Sequence, residues 1–155
     1  MAMTTAWHDI VHDFRDEMHD LASINTTAAT RQAYLALWVT FMAIPLLFGL
    51  DRFAGIMNSS WEGLVATWVN DLVPGSATAA VMTFGVIELV LFVLVAAVPR
   101  VGGDLLALWL VLWAINLFWV DGMAWAAIGT LALAACCLAM ARMSTTWHHK
   151  EDMPT

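Results

Sequence analysis

Four almost unbroken apolar runs, at about 33–50, 77–98, 105–120 and 123–141, take up most of a chain of 155 residues. Each is close to the ~17–25 residues that carry a helix across the hydrocarbon core of a bilayer. Backbone groups in lipid must find partners within the protein, and the runs lack the alternating period of a membrane barrel, so helices are expected. Composition agrees: 61% of the residues are hydrophobic and 12% charged, against about 45–50% and a quarter in soluble domains. The expected fold is all-α, an integral membrane four-helix bundle over 32–143. An amphipathic N-terminal arm over 1–31 precedes it, a short outer interfacial helix interrupts it, and a polar tail over 144–155 follows.

One residue breaks the pattern of the second run. Glu88 lies near its middle, and an ionised carboxylate near a bilayer centre costs at least ~2.5 kcal/mol unless it faces protein or water and has a partner. Arg52, at the outer end of the first run, is the evident partner, by a direct or a water-bridged contact. Pro45 removes a backbone donor within the same run, and a kink there would tip Asp51-Arg52 inward. Asn116 and Asp121 could complete a polar cluster with Asp51, Arg52 and Glu88. Such a cluster reads as a helix-locking ion pair, as a protonated Glu88 hydrogen-bonded across helices, or as a proton or small-polar-ligand site.

Orientation follows from Lys and Arg, because acidic residues contribute little to the topology rule. Arg15, Arg31, Arg100, Arg142 and Lys150 fall on one side of four crossings and Arg52 on the other. Both termini are therefore expected on the cytoplasmic side of the inner membrane, with 52–76 outside. The formal net charge of −7 argues against nucleic acid as a partner. Charged residues fill 1–31 where a signal peptide would need an apolar core, so the first run is expected to serve as its own membrane signal.

In the arm, Trp7, Ile10, Val11, Phe14, Met18 and Leu21 recur at helical spacing. Asp9, Asp13, Asp16, Glu17 and Asp20 face Arg15 alone, whereas helices that lie on lipid usually carry a basic flank, so docking on a protein partner is expected. His8, His12 and Asp16 form a one-face stripe able to take a metal, although histidines on an acidic surface are ordinarily solvated, and no metal is expected. In the outer loop, Ser59-Ser60-Trp61-Glu62 matches a capping box, and Trp61, Leu64, Val65, Trp68, Val69 and Leu72 follow at helical spacing up to Pro74-Gly75. That segment is expected to be an interfacial anchor, or a roof over the bundle.

Trp119, Trp125 and Trp147 sit where aromatic belts sit. Trp38, Trp109 and Trp113 lie deeper, and the last two form an i, i+4 ridge that packs on a neighbouring helix or on a ring cofactor. All five histidines lie outside the apolar runs, so haem or pigment ligated by an intramembrane His is not expected. Cys136 and Cys137 are adjacent on one apolar helix without a C-x-x-C spacing and read as packing thiols. No P-loop, nucleophile elbow or dinucleotide fingerprint occurs.

Leu47-Phe48-Gly49-Leu50-Asp51-Arg52-Phe53, Trp68-Val69-Asn70-Asp71-Leu72-Val73-Pro74, and Gly85-Val86-Ile87-Glu88 followed by Pro99-Arg100 together resemble the DoxX-like family of small four-helix membrane proteins, over about 35–142. The resemblance implies a membrane subunit associated with thiosulfate or thiol oxidation and quinone reduction, in which Arg52 and Glu88 matter. This chain differs from redox versions in lacking C-x-x-C and in carrying Trp125-Ala126 where related sequences often have charged residues. The expected role is a non-catalytic accessory or anchor subunit of a larger electron-transfer assembly. It would contact membrane lipid, and other subunits through the arm and bundle. A quinone-linked oxidoreductase subunit, with quinone or bound lipid near Arg52, Glu88 and Asn116, is one alternative, and a small-solute or proton conduit is another.

Overall fold

The computed structural model describes residues 14, 15, 18, 19, 29–73 and 75–148, the last four by backbone alone. Its elements are α1 (Ala29–Ala54), a 3-10 helix (Trp61–Leu64), α2 (Thr67–Leu72), α3 (Ala77–Ala97), α4 (Pro99–Phe118) and α5 (Ala124–His148). No strand occurs among the described residues. Helices α1, α3, α4 and α5 are each long and apolar enough to cross a membrane. The chain is a multi-pass helical membrane protein.

Three helices outrun their apolar cores. α1 begins at Ala29 and ends at Ala54, so Asp51 and Arg52 lie on the helix rather than beyond it, and it passes through Pro45 without a break. α4 begins at Pro99, and Val98 serves as the C-cap of α3 and the N-cap of α4 at once. Proline suits a first helical position, where its missing N–H has no partner to lose. α5 continues past the apolar run to His148. Hydropathy marks the depth of hydrocarbon, whereas i→i−4 bonding continues until a cap or a turn stops it.

α1 packs on α3 and α4 on α5, while α3 also lies along α4. The core between them holds Tyr34, Leu35, Trp38 and Phe41 with Val95, Leu106, Cys137 and Met140, all within 1% of complete burial. Trp38 does more than fill space. Proline at 99 has no N–H to give to the carbonyl of Val95, and the Trp38 indole N–H supplies the missing donor at 3.1 Å. The other face of the α3–α4 corner is closed by Gly102, where a Cβ would fall 2.4 Å from the carbonyl carbon and oxygen of Leu94 and the nitrogen of Val95. Two backbones therefore meet there.

Of the arm, Phe14 meets Trp38 in a T-shaped ring pair, with centroids 5.9 Å apart and the planes at 64°. At this position the apolar face of the arm meets the chain's own bundle. Trp7, Ile10, Val11, Leu21, His8, His12 and Asp16 lie outside the described residues. Cys136 is exposed, and the buried Cys137 thiol donates to the carbonyl of Gly103 at 3.3 Å.

Candidate functional site

Two glycines bring the charged pair together. A Cβ on Gly49 would lie 3.1 Å from the carbonyl oxygen of Gly85 and 3.2 Å from the Glu88 Cβ; one on Gly85 would lie 3.1 Å from the carbonyl oxygen of Gly49 and 3.2 Å from the Arg52 Cβ. Each glycine precedes a charged residue by three positions, so it shares a helix face with that residue. The contact between α1 and α3 is thus reciprocal, and the charged side chains start closer to each other than two helices with larger residues would permit.

Arg52 and Glu88 meet directly. Nε donates to Oε2 and Nη2 to Oε1, both at 2.7 Å, a two-pronged arrangement that planar guanidinium and carboxylate groups form best. Both residues are at least 95% buried. Their surroundings are aromatic: the guanidinium carbon lies 4.5 Å from the Trp61 ring centroid, 4.7 Å from Trp113 and 5.7 Å from Phe84. Ring faces attract a cation electrostatically, the more so where water is excluded. The Trp109 indole N–H reaches Glu88 Oε1 at 3.4 Å, and Arg52 Nη1 is buried without a hydrogen-bond partner. The expected Arg52–Glu88 partnership is present as a direct contact.

Asp51 has a different task. Oδ1 accepts from the backbone N–H groups of Ile56 at 2.8 Å and Met57 at 2.6 Å, and Oδ2 from Asn58 at 3.0 Å and the Trp61 indole at 2.8 Å. Four donors fill the capacity of a carboxylate. Gly55, at φ 62°, takes the left-handed conformation that ends α1 and turns its N–H back onto the Asp51 carbonyl at 2.7 Å. The loop that follows α1 is thereby folded back on the end of that helix, and Trp61 is carried to the face of Arg52.

Asn116 clamps the next segment. Its Oδ1 accepts from the Ala66 N–H at 2.9 Å and its Nδ2 donates to the Leu64 carbonyl at 2.7 Å. This amide takes the place of a helical neighbour, and the segment between α1 and α3 is split: a 3-10 turn ends at Leu64 and α2 starts at Thr67, where one helix from Trp61 to Leu72 was expected. The capping box is not formed either. The Ser60 side chain makes no cap bond, and Glu62 accepts instead from the Thr78 hydroxyl. The segment does roof the bundle, in two pieces.

Asp121 is not in the cluster. It is exposed in the turn between α4 and α5, where Gly122 takes φ 77°. The Trp109–Trp113 ridge packs as expected on a neighbouring helix, with Phe84 of α3 edge-on to both rings at 5.6 and 5.8 Å. Trp38 belongs to the core at the opposite end of the bundle and does not line the site. Two hollows share the ridge. A cavity of about 80 Å³ lies among Pro45, Glu88, Trp109 and Thr130, and a more open groove of about 240 Å³ lies between α2 and α4.

Sequence reasoning missed Gly49, Gly85 and the stacking of Trp61 and Trp113 on Arg52. The spacing Gly-x-x-Arg in one run and Gly-x-x-Glu in the next was a usable signal, since small residues at helix interfaces in membranes mark close approach. Among the described residues no group of three His, Cys, Asp or Glu side chains is placed to hold a metal. Compared with known proteins, the chain matches no family model, no curated protein and no solved structure.

Proposed function

We propose that this chain is a non-catalytic accessory or anchor subunit of a larger membrane assembly, one that carries electrons. The observation that supports the first part is the use made of the intramembrane polar groups. Both Glu88 oxygens are held by Arg52, all four bonds of Asp51 go to its own loop, and the two Asn116 bonds go to the backbone of the roof. Groups engaged in this way hold helices and loops in place and are poorly available to a substrate. The electron-transfer part rests on the DoxX-like resemblance. The excess of Lys and Arg in the arm, the α3–α4 corner and the tail supports termini on the cytoplasmic side of the inner membrane.

Deleting residues 1–23 tests the subunit role. The truncated bundle should still insert and purify folded in mild detergent, but it should migrate without the chains that accompany the full-length protein on a native gel. Equal complex formation by both forms would remove the arm from the interface. A full-length chain that purifies alone and reduces a quinone with an added donor would overturn the proposal. Orientation is tested separately: a reporter fused after Lys150 should give a cytoplasmic signal and one inserted at Gly63 an external signal. The reverse pattern would overturn the charge argument.

A further inference from the structure

We propose that the turn after α1 is sunk in the membrane, with Ile56 and Met57 at its tip immersed in the acyl chains of the leaflet on the side of the α1–α3 loop. This goes beyond the subunit role and needs only the membrane-spanning fold. The register between α1 and α3 sets the depth. α3 runs for 21 residues from Ala77 to Ala97, about 30 Å, which is the thickness of the hydrocarbon core, so its two ends mark the boundaries of that layer. A Cβ on Gly85 would lie 3.2 Å from the Arg52 Cβ, so Arg52 sits level with Gly85, about 12 Å in from Ala77. α1 ends two residues later, at Ala54. It therefore stops short of the boundary, and the loop begins inside the hydrocarbon layer.

Asp51 keeps the loop at that depth. Its carboxylate accepts from the N–H groups of Ile56 and Met57 at 2.8 and 2.6 Å, which holds both residues within about one helical turn of Asp51 and roughly 6 Å or more inside the Ala77 end. The chain regains that end at Glu62, which accepts from Thr78 in the first turn of α3. An irregular backbone persists at membrane depth only where its polar groups find partners within the protein. All four N–H groups from Gly55 to Asn58 have them, one on the Asp51 carbonyl and three on its carboxylate. The side chains suit the same surroundings. Ile56 is 85% exposed and Met57 56%, and no charged residue occurs between Arg52 and Glu62. The exposed Leu47, Leu50 and Phe53 stand three apart along α1 and lead up to them. Acyl chains that cover this side of a crossing helix extend over its tip, and they take both side chains out of water, the favourable direction for each.

The test places a nitroxide label on the full chain in phosphatidylcholine vesicles, at Ile56→Cys and separately at Met57→Cys, with Cys136 and Cys137 changed to alanine throughout. Oxygen concentrates among acyl chains and a water-soluble nickel chelate stays outside them, so the ratio of their relaxation effects on the label reports its surroundings. Val90→Cys, exposed within α3, sets the value for lipid. Asp71→Cys, exposed near the end of α2, sets the value for water. The ratio at 56 and 57 should match that at Val90 and exceed that at Asp71 several-fold, in chains whose thermal midpoint the label leaves unchanged. If the label shifts the midpoint at one of the two positions, the other decides. A ratio equal to that at Asp71 would put the tip in water and overturn the proposal. Poor access of both reagents would mean that protein covers the tip, and would overturn it equally.

Discussion

Glu88→Leu should destabilise the detergent-solubilised bundle by about 3–5 kcal/mol, because it leaves the Arg52 guanidinium charged and unpaired in a low-dielectric site. Arg52→Leu should cost a similar amount for the converse reason. The double variant should recover most of either loss, since an apolar pair of similar volume needs no compensating charge. It should still fall about 1–2 kcal/mol short of the native chain, because the stacking of the guanidinium on Trp61 and Trp113 is lost with it. Glu88→Gln keeps the shape and one acceptor, and should lie between native and Glu88→Leu. Thermal unfolding of the four variants in one detergent measures the cycle. Additive losses would mean that the two residues do not stabilise each other. A double variant that folds and assembles, yet has lost an activity of the assembly, would overturn the scaffold reading of Glu88.

Gly102→Ala should be at least as damaging as any single substitution in the apolar helices, at about 3 kcal/mol or more. The added methyl would meet backbone atoms of Leu94 and Val95 at 2.4 Å, and backbone cannot rotate aside as a side chain can. Because Val98 alone joins α3 to α4, the corner can relieve the clash only by opening. Gly129→Ala makes the control. It also adds a methyl within a long helix, but nothing lies within 4 Å of it, so helix propensity should leave the variant neutral or stabilised by up to about 1 kcal/mol. Parallel melting curves of the two variants check the contrast. Equal midpoints would show that the corner is more pliable than its geometry indicates.

The four crossings and the Arg52–Glu88 pair were legible because each rests on one strong term. Apolar length leaves few folds open to a chain in lipid, and a carboxylate placed there needs the only base within reach. The misassignments have physical causes as well. Asp51 adjoins Arg52 in sequence, but neighbours on a helix point ~100° apart, so one of them faces α3 and the other faces the loop. The expected continuous outer helix had correct local spacing and was divided by Asn116, from 50 residues further along, which no local pattern encodes. Asp121 was grouped by its position at a helix end, where turn geometry decides direction. The start of α4 at Pro99 was obscured because Arg100, Gly102, Gly103 and Asp104 read as loop, although each is helical.

The two clamps on the loop between α1 and α3 differ in when they can close. Asp51 gathers donors from residues 5 to 10 positions ahead of it, so its clamp is available as soon as the chain has been made through Trp61. Asn116 bonds to Leu64 and Ala66, at separations of 52 and 50, and must wait for α4. Since synthesis proceeds from the N-terminus, α3 brings Glu88 into the membrane in the interval, against an Arg52 already fixed on α1. The costly carboxylate thus enters a bilayer in which its counter-ion is waiting. Of the two clamps the Asn116 one closes second, on the third crossing helix, and a nascent chain stalled short of Asn116 would hold its ion pair beneath an unlatched roof.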